Sequence, residues 1–264
     1  FYNSNGEELC LRPDLTISSV LRYAQGNRFN KEKVFYTGSA FRKSYNKKNI
    51  LIKQIGMEIF SSKDENKDDR EIIDTSIKVL KKTGFKKAKV EIGNFKLFEL
   101  LIQKLSIPQR WKDRLIKFYW NKEYFSQLLK RLDSNSDIDP FIVAGDHKTY
   151  LKMKKEYPKK MIAGRTYEEI IERYERKIND PRLTKTGKKS SKIIKEFLKI
   201  KCSLKDAPKK LNAFYKKYNL NISVGKDFFP ISNLKQNNIN FEFSTGNGRG
   251  KDVEYYSSFI FSIE

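Results

Sequence analysis

Cysteine is nearly absent from this 264-residue chain: Cys10 and Cys202 are the only two, far apart and outside any CxxC or Cys/His spacing. That excludes a disulfide framework and a structural zinc site, and it fits a reducing compartment. Histidine is scarcer still. His147 stands alone in Ala144-Gly145-Asp146-His147, so a metal site or a nucleophilic triad has nothing to assemble from, and the residue reads as a surface or turn histidine. No run approaches the roughly 18 apolar residues of a membrane span, and no basic-then-apolar leader opens the chain; the expected location is the cytoplasm, with no membrane partner.

What is present is aromatic and basic. Apolar residues make up 38% and charged residues 33%, yet 19 Phe and 14 Tyr are too many for a disordered chain, so a folded protein with one large or two modest domains is expected. The net charge of +23 invites a nucleic-acid reading. Against it, the charge is mostly lysine spread along the whole chain, arginine is sparse, and no basic block is interleaved with aromatics that could stack on bases. Nucleic acid is therefore an unlikely partner. The chain starts at Phe1 without Met and stops inside a strand-like run, which suggests a longer protein cut at both ends.

Periodicity outlines an α+β fold with an antiparallel sheet flanked by helices. Lys33 to Arg42 and Ile50 to Phe60 are β-rich runs around a polar loop, Lys43 to Asn49, and predict a long hairpin. A helix follows over Asp69 to Thr83, with Ile72, Ile73, Ile77 and Leu80 on one stripe and Gly84 at its C-terminal end. Lys87 to Gly93 is a short strand. Leu97, Leu101 and Leu105 mark a helix that stops before Pro108, and Phe125, Leu128, Leu129 and Leu132 mark another. Residues 150–220 read as purely helical, with a capping box at Thr166 and Glu169. Strand character returns in Ile239 to Ser244 and from Tyr255 onward. The expected division is a core over 1–149, a helical insertion over 150–220 and returning core strands over 221–264.

The strand after the hairpin turn is the most informative. Side chains alternate between faces, so Leu51, Ile55, Met57 and Ile59 share one side, expected to be core, while Gln54, Gly56 and Glu58 share the other. That second side sets an amide and a carboxylate each about 7 Å from the glycine between them, leaving a gap where a positive amino or imidazolium group could sit. An ordinary solvent-facing strand is the equal alternative. Arg42 lies on one face with Ala40 and Gly38, where it could grip an anion or be a surface arginine near a hairpin tip. Asp14 and Thr16, in Leu11-Arg12-Pro13-Asp14-Leu15-Thr16, precede an apolar helical stretch and could be helix-start residues alone.

The string LRPDLT, the hairpin FYTGSAFR with KQIGMEIF, and the late EYYSSFIF together resemble the class II aminoacyl-tRNA synthetase core in its histidyl form. The resemblance implies a histidine-binding set of Asp14, Thr16, Arg42, Gln54, Glu58, Tyr255 and Tyr256. Lys251 stands where catalytic members of that family carry an arginine, and a lysine does not reproduce a bidentate arginine clamp. Ser44 replaces an expected acid, and Ile52 replaces the aromatic residue on which adenine stacks.

The middle of the chain, VEIGNFKLFELLIQKLSIPQRWKDRL and AGRTYEEIIERY, is similar to the regulatory subunits of the short-form ATP phosphoribosyltransferase, non-aminoacylating paralogues of the synthetases. That resemblance implies a non-catalytic chain without metal or cofactor that pairs with a catalytic phosphoribosyltransferase subunit, self-associates, and responds to L-histidine as effector. The alternatives are a divergent histidyl-tRNA synthetase core and an RNA-binding derivative of the same fold.

Overall fold

The computed structural model describes residues 2–26, 30–42, 50–134, 148, 152, 155, 164–179, 183–229, 238–249 and 258–264. His147, Lys251, Tyr255 and Tyr256 lie outside the described residues, as do the hairpin loop 43–49 and most of 135–163. The chain divides into two compact units, Phe1–Gly84 and Phe85–Glu264, so the division falls inside the stretch expected to form the first part of the core.

Unit 1 is a two-stranded antiparallel hairpin with two helices. Strands β1 (Glu32–Phe41) and β2 (Leu51–Phe60) pair in a register that sets Tyr36 opposite Gly56 and Gly38 opposite Gln54. Helix α1 (Thr16–Gln25) packs on this hairpin: Tyr23 stacks on Phe60 with ring centroids 4.3 Å apart. Helix α2 (Glu65–Lys82) starts earlier than its apolar stripe suggested, because Asp64 caps it by accepting from the Lys67 N–H at 3.1 Å. Ile73 and Ile77 are its buried positions, and Gly84 beyond its end holds a φ of +95°, where glycine has no steric penalty.

One expectation is met only in part here. Strand alternation does separate the two sets of side chains on β2, but the apolar set is only partly covered: Ile55 is 78% exposed and Leu51 49%, with Phe35 on the same side of β1 at 66%, while Met57 and Ile59 are half-buried. The covered side is the one carrying Gln54, Gly56 and Glu58. Leu15 seats against Gly38, Ala40 is fully buried, and the N-terminal segment lies across this face.

Unit 2 holds a four-stranded sheet in the order β4 (Lys201–Ser203), β5 (Ile239–Ser244), β3 (Ala88–Asn94), β6 (Phe259–Ile263). Every pairing is antiparallel except β3 with β5, which is parallel, so the architecture is α+β with a mixed sheet. Strand β4 falls inside the stretch that read as purely helical. Its three residues, Lys-Cys-Ser, carry no periodic signal, and only pairing with β5 makes them a strand. Helices α3 (Phe95–Lys104), α4 (Gln109–Lys117) and α5 (Lys122–Asp133) follow β3, and Asn94 and Asn121 cap the first and third. Beyond them come α6 (Tyr167–Asn179), α7 (Thr184–Phe197) and α8 (Ala207–Lys217).

Their apolar stripes meet in an aromatic core. Phe98 stacks on Tyr119 at 3.7 Å between centroids, and both rings meet Phe125 edge-on. The polar tips of its tyrosines are used internally: the Tyr119 hydroxyl donates to the Thr245 carbonyl at 2.9 Å and that of Tyr215 to the Leu97 carbonyl at 3.3 Å. Thr245 opens a 3₁₀ turn, Thr245–Arg249.

Candidate functional site

The site builds from the segment Arg12 to Thr16 and the covered face of the hairpin. Three hydrogen bonds tie the segment to the end of β1: Phe41 N to the Arg12 carbonyl at 2.9 Å, Arg12 Nε to the Ser39 carbonyl at 2.8 Å, and Arg42 Nε to the Pro13 carbonyl at 2.7 Å. Gly38 makes this close approach possible. A Cβ there would stand 3.2 Å from the Leu15 side chain and 3.5 Å from the Arg12 guanidinium. Arg42, although exposed, thus helps to hold the strap in place.

Asp14 is 4% exposed, and its Oδ1 accepts from the Ile17 N–H at 3.1 Å. One carboxylate oxygen thus serves the start of α1, where the positive end of the helix dipole favours it. Both readings of Asp14 meet in one residue: it caps a helix, and it is a carboxylate held on the covered side of the hairpin.

Sequence reasoning missed the centre of the cluster. The phenol ring of Tyr36 lies over Gly56, so close that a Cβ at position 56 would fall 2.3 Å from its Cζ and hydroxyl. The Tyr36 hydroxyl donates to Glu58 Oε1 at 2.9 Å and contacts Thr16 Oγ1 at 3.1 Å. The gap expected above Gly56 is therefore filled by a side chain of the same hairpin, which leaves no room for a ligand group on the glycine itself. The signal that could have revealed this is the antiparallel register, since directly opposed residues share a face and an aromatic commonly covers a cross-strand glycine.

Gln54 completes the arrangement. Its Oε1 is buried and has no hydrogen-bond partner among the described residues. Buried polar atoms are overwhelmingly paired, so an amide oxygen left bare on this face marks a place where a donor is wanted. Asp14, Thr16, Gln54 and Glu58 are thus gathered on one side of the hairpin, with Arg42 at its end. No group of three or more His, Cys, Asp and Glu side chains that could hold a metal occurs among the described residues, and no helix there is long and apolar enough to cross a membrane.

Other charged clusters are structural. On the unit 2 sheet, Lys201 sits 2.8 Å from Glu91 and 3.5 Å from Glu242, and Lys89 sits 3.1 Å from Glu242. The Glu91 carboxylate raises the Lys201 ammonium above its ordinary value, and Lys89 lowers the Glu242 carboxyl. This two-by-two lattice knits three strands and leaves no charge over for a ligand.

The sequence model of a family described as "Histidyl-tRNA synthetase" matches residues 1–175. A curated relative from Clostridium acetobutylicum, named "ATP phosphoribosyltransferase regulatory subunit", is 36% identical over 143 residues, which is 52% of this chain and 34% of that protein. One of the same name from Sinorhizobium fredii is 24% identical over 280 residues, covering 99% of this chain and 73% of that protein. A solved structure titled as an ATP phosphoribosyltransferase regulatory subunit/histidyl-tRNA synthetase from Bacillus halodurans C is 20% identical. It covers all of this chain and 56% of its own, with a TM-score of 0.48.

Proposed function

The chain belongs to the histidyl-tRNA synthetase family, and on that premise we propose that it is a regulatory rather than an aminoacylating member. It assembles with a catalytic ATP phosphoribosyltransferase subunit, supports its activity and conveys inhibition by L-histidine. The regulatory name is carried by relatives that align along nearly the whole chain. The observation that carries the ligand is the cluster of Asp14, Thr16, Gln54 and Glu58 on the covered face of the hairpin, with one buried oxygen unpaired.

In this reading Glu58 and Asp14 meet the cationic groups of histidine, Gln54 and Thr16 hydrogen-bond it, and Arg42 meets its carboxylate. Tyr255, Tyr256 and Lys251, which the resemblance adds to the set, lie outside the described residues. Regulation requires histidine to bind two assembly states unequally, because a ligand with equal affinity for both shifts nothing. Calorimetry on the full-length protein tests the site: wild type binds histidine, and Glu58→Ala weakens binding at least tenfold. An unchanged affinity removes the cluster from consideration. Mixing with the catalytic subunit then tests the role, with histidine lowering phosphoribosyl transfer only when the regulatory chain is present.

The family name itself favours a second reading, a divergent histidyl-tRNA synthetase. Histidine-dependent exchange of pyrophosphate into ATP separates the two, since the regulatory reading expects none. Ile52, Ser44 and Lys251 in the places of an adenine-stacking aromatic, an acid and an arginine weigh against ATP chemistry.

A further inference from the structure

The hydrogen bonds around Tyr36 have a fixed direction. A phenol owns one proton, and a carboxylate can only accept, so the 2.9 Å contact to Glu58 Oε1 uses the Tyr36 proton. The 3.1 Å contact to Thr16 must then be donated by the threonine hydroxyl into the Tyr36 oxygen. Thr16 gives to Tyr36, and Tyr36 gives to Glu58. Each bond polarises the next, and both hydroxyl protons of the cluster are spent inside it.

The hydroxyl and carboxylate groups are left with acceptors alone for a ligand, a lone pair on Thr16, the second oxygen of Glu58 and the Asp14 carboxylate, joined by the unpaired Gln54 Oε1; the donors that stay on this face are the Gln54 amide N–H groups and, at its end, the Arg42 guanidinium. We propose that Tyr36 is the specificity-determining positioning residue of this site, because it takes up the Thr16 proton and fixes the Glu58 carboxylate so that the site selects ligands by their N–H donors. Gly56 belongs to the same device, since no larger residue leaves room for the ring. The inference rests on the histidine reading and sharpens it: a ligand with an ammonium and a ring N–H satisfies the cluster, and one lacking either leaves buried acceptors bare, which is costly.

The test measures three ligands on the full-length wild type and on Tyr36→Phe: L-histidine, imidazolepropionate, which lacks the ammonium, and Nτ-methylhistidine, which lacks the ring N–H. In Tyr36→Phe the ring still covers Gly56, while Thr16 regains its proton and Glu58 loses its anchor. Histidine affinity is expected to fall about tenfold, and the preference for histidine over at least one of the two analogues is expected to shrink by a similar factor. Equal weakening for all three ligands means that Tyr36 only supports the fold, and it overturns the proposal, as do three unchanged affinities. Should Tyr36→Phe fail to fold by circular dichroism, Thr16→Val breaks the relay from its other end and carries the same expectation. Absence of histidine binding in the wild type is a different outcome: it defeats the histidine reading itself.

Discussion

At the scale of single residues, Gly56 and Tyr36 form a matched pair. Adding a methyl group at position 56 forces it against the phenol, with backbone on one side and a ring pinned by two hydrogen bonds on the other. Gly56→Ala should therefore destabilise unit 1 by roughly 1–3 kcal/mol, the range for overpacking a filled site. Urea midpoints check this, and Tyr36→Ala in the same background should return most of the loss, a non-additivity expected only of residues in contact. The shared face of Gln54 and Glu58 was legible in the sequence because it follows from parity along a strand, whereas Asp14 and Thr16 stood out only through the resemblance to a family motif. Tyr36 was not legible, because its importance comes from the residue across the register, which one strand's own pattern does not display.

At the scale of elements, local chemistry proved the most readable. Thr166 and Glu169 close the reciprocal pair expected of a capping box: the Thr166 N–H donates to Glu169 Oε2 at 3.0 Å and the Glu169 N–H to Thr166 Oγ1 at 3.3 Å. Thr166→Ala should cost about 1 kcal/mol of helix stability, read as faster amide exchange confined to the first turn of α6. The hairpin was equally legible in extent, and its apolar face is buried only in part, at Met57 and Ile59 but not at Leu51 and Ile55. Alternation tells which side chains travel together, but not which side the rest of the unit covers, and here the N-terminal strap chose the polar one. Helices α3 and α5 show the reverse case: their stripes at Leu97 and Leu101, and at Phe125, Leu128, Leu129 and Leu132, are buried as expected, since a wide apolar stripe has only one favourable direction to face.

At the scale of the whole molecule, pH acts on both flanks of the stability curve. Burial pushes the Tyr215 phenol well above its ordinary value, so ionisation above pH 10 or so favours the unfolded chain. Lys201, raised by Glu91, works in the same direction: its contribution is complete below the ordinary lysine value and declines as pH rises through the folded one. On the acid side Glu242 is lowered by Lys89 and Glu196 by Lys217, so their contributions stand above the ordinary carboxyl value and fade as pH drops toward the folded ones. Urea midpoints should thus plateau from about pH 5 to 9 and fall on either side, with Tyr215→Phe flattening the alkaline limb. A symmetrical loss in that variant would sink the assignment.

The parallel pairing of β3 with β5 has a kinetic meaning. Both neighbours of β3, from 239–244 and 259–263, come from the last 26 residues, while β3 itself ends at Asn94. During synthesis the strand that will become the middle of the sheet must wait, edges bare, through about 145 intervening residues before its first partner leaves the ribosome. Closing so long a loop is slow and leaves a window for misassociation. The early helices can gather beforehand, but the sheet of unit 2 is a late event by construction.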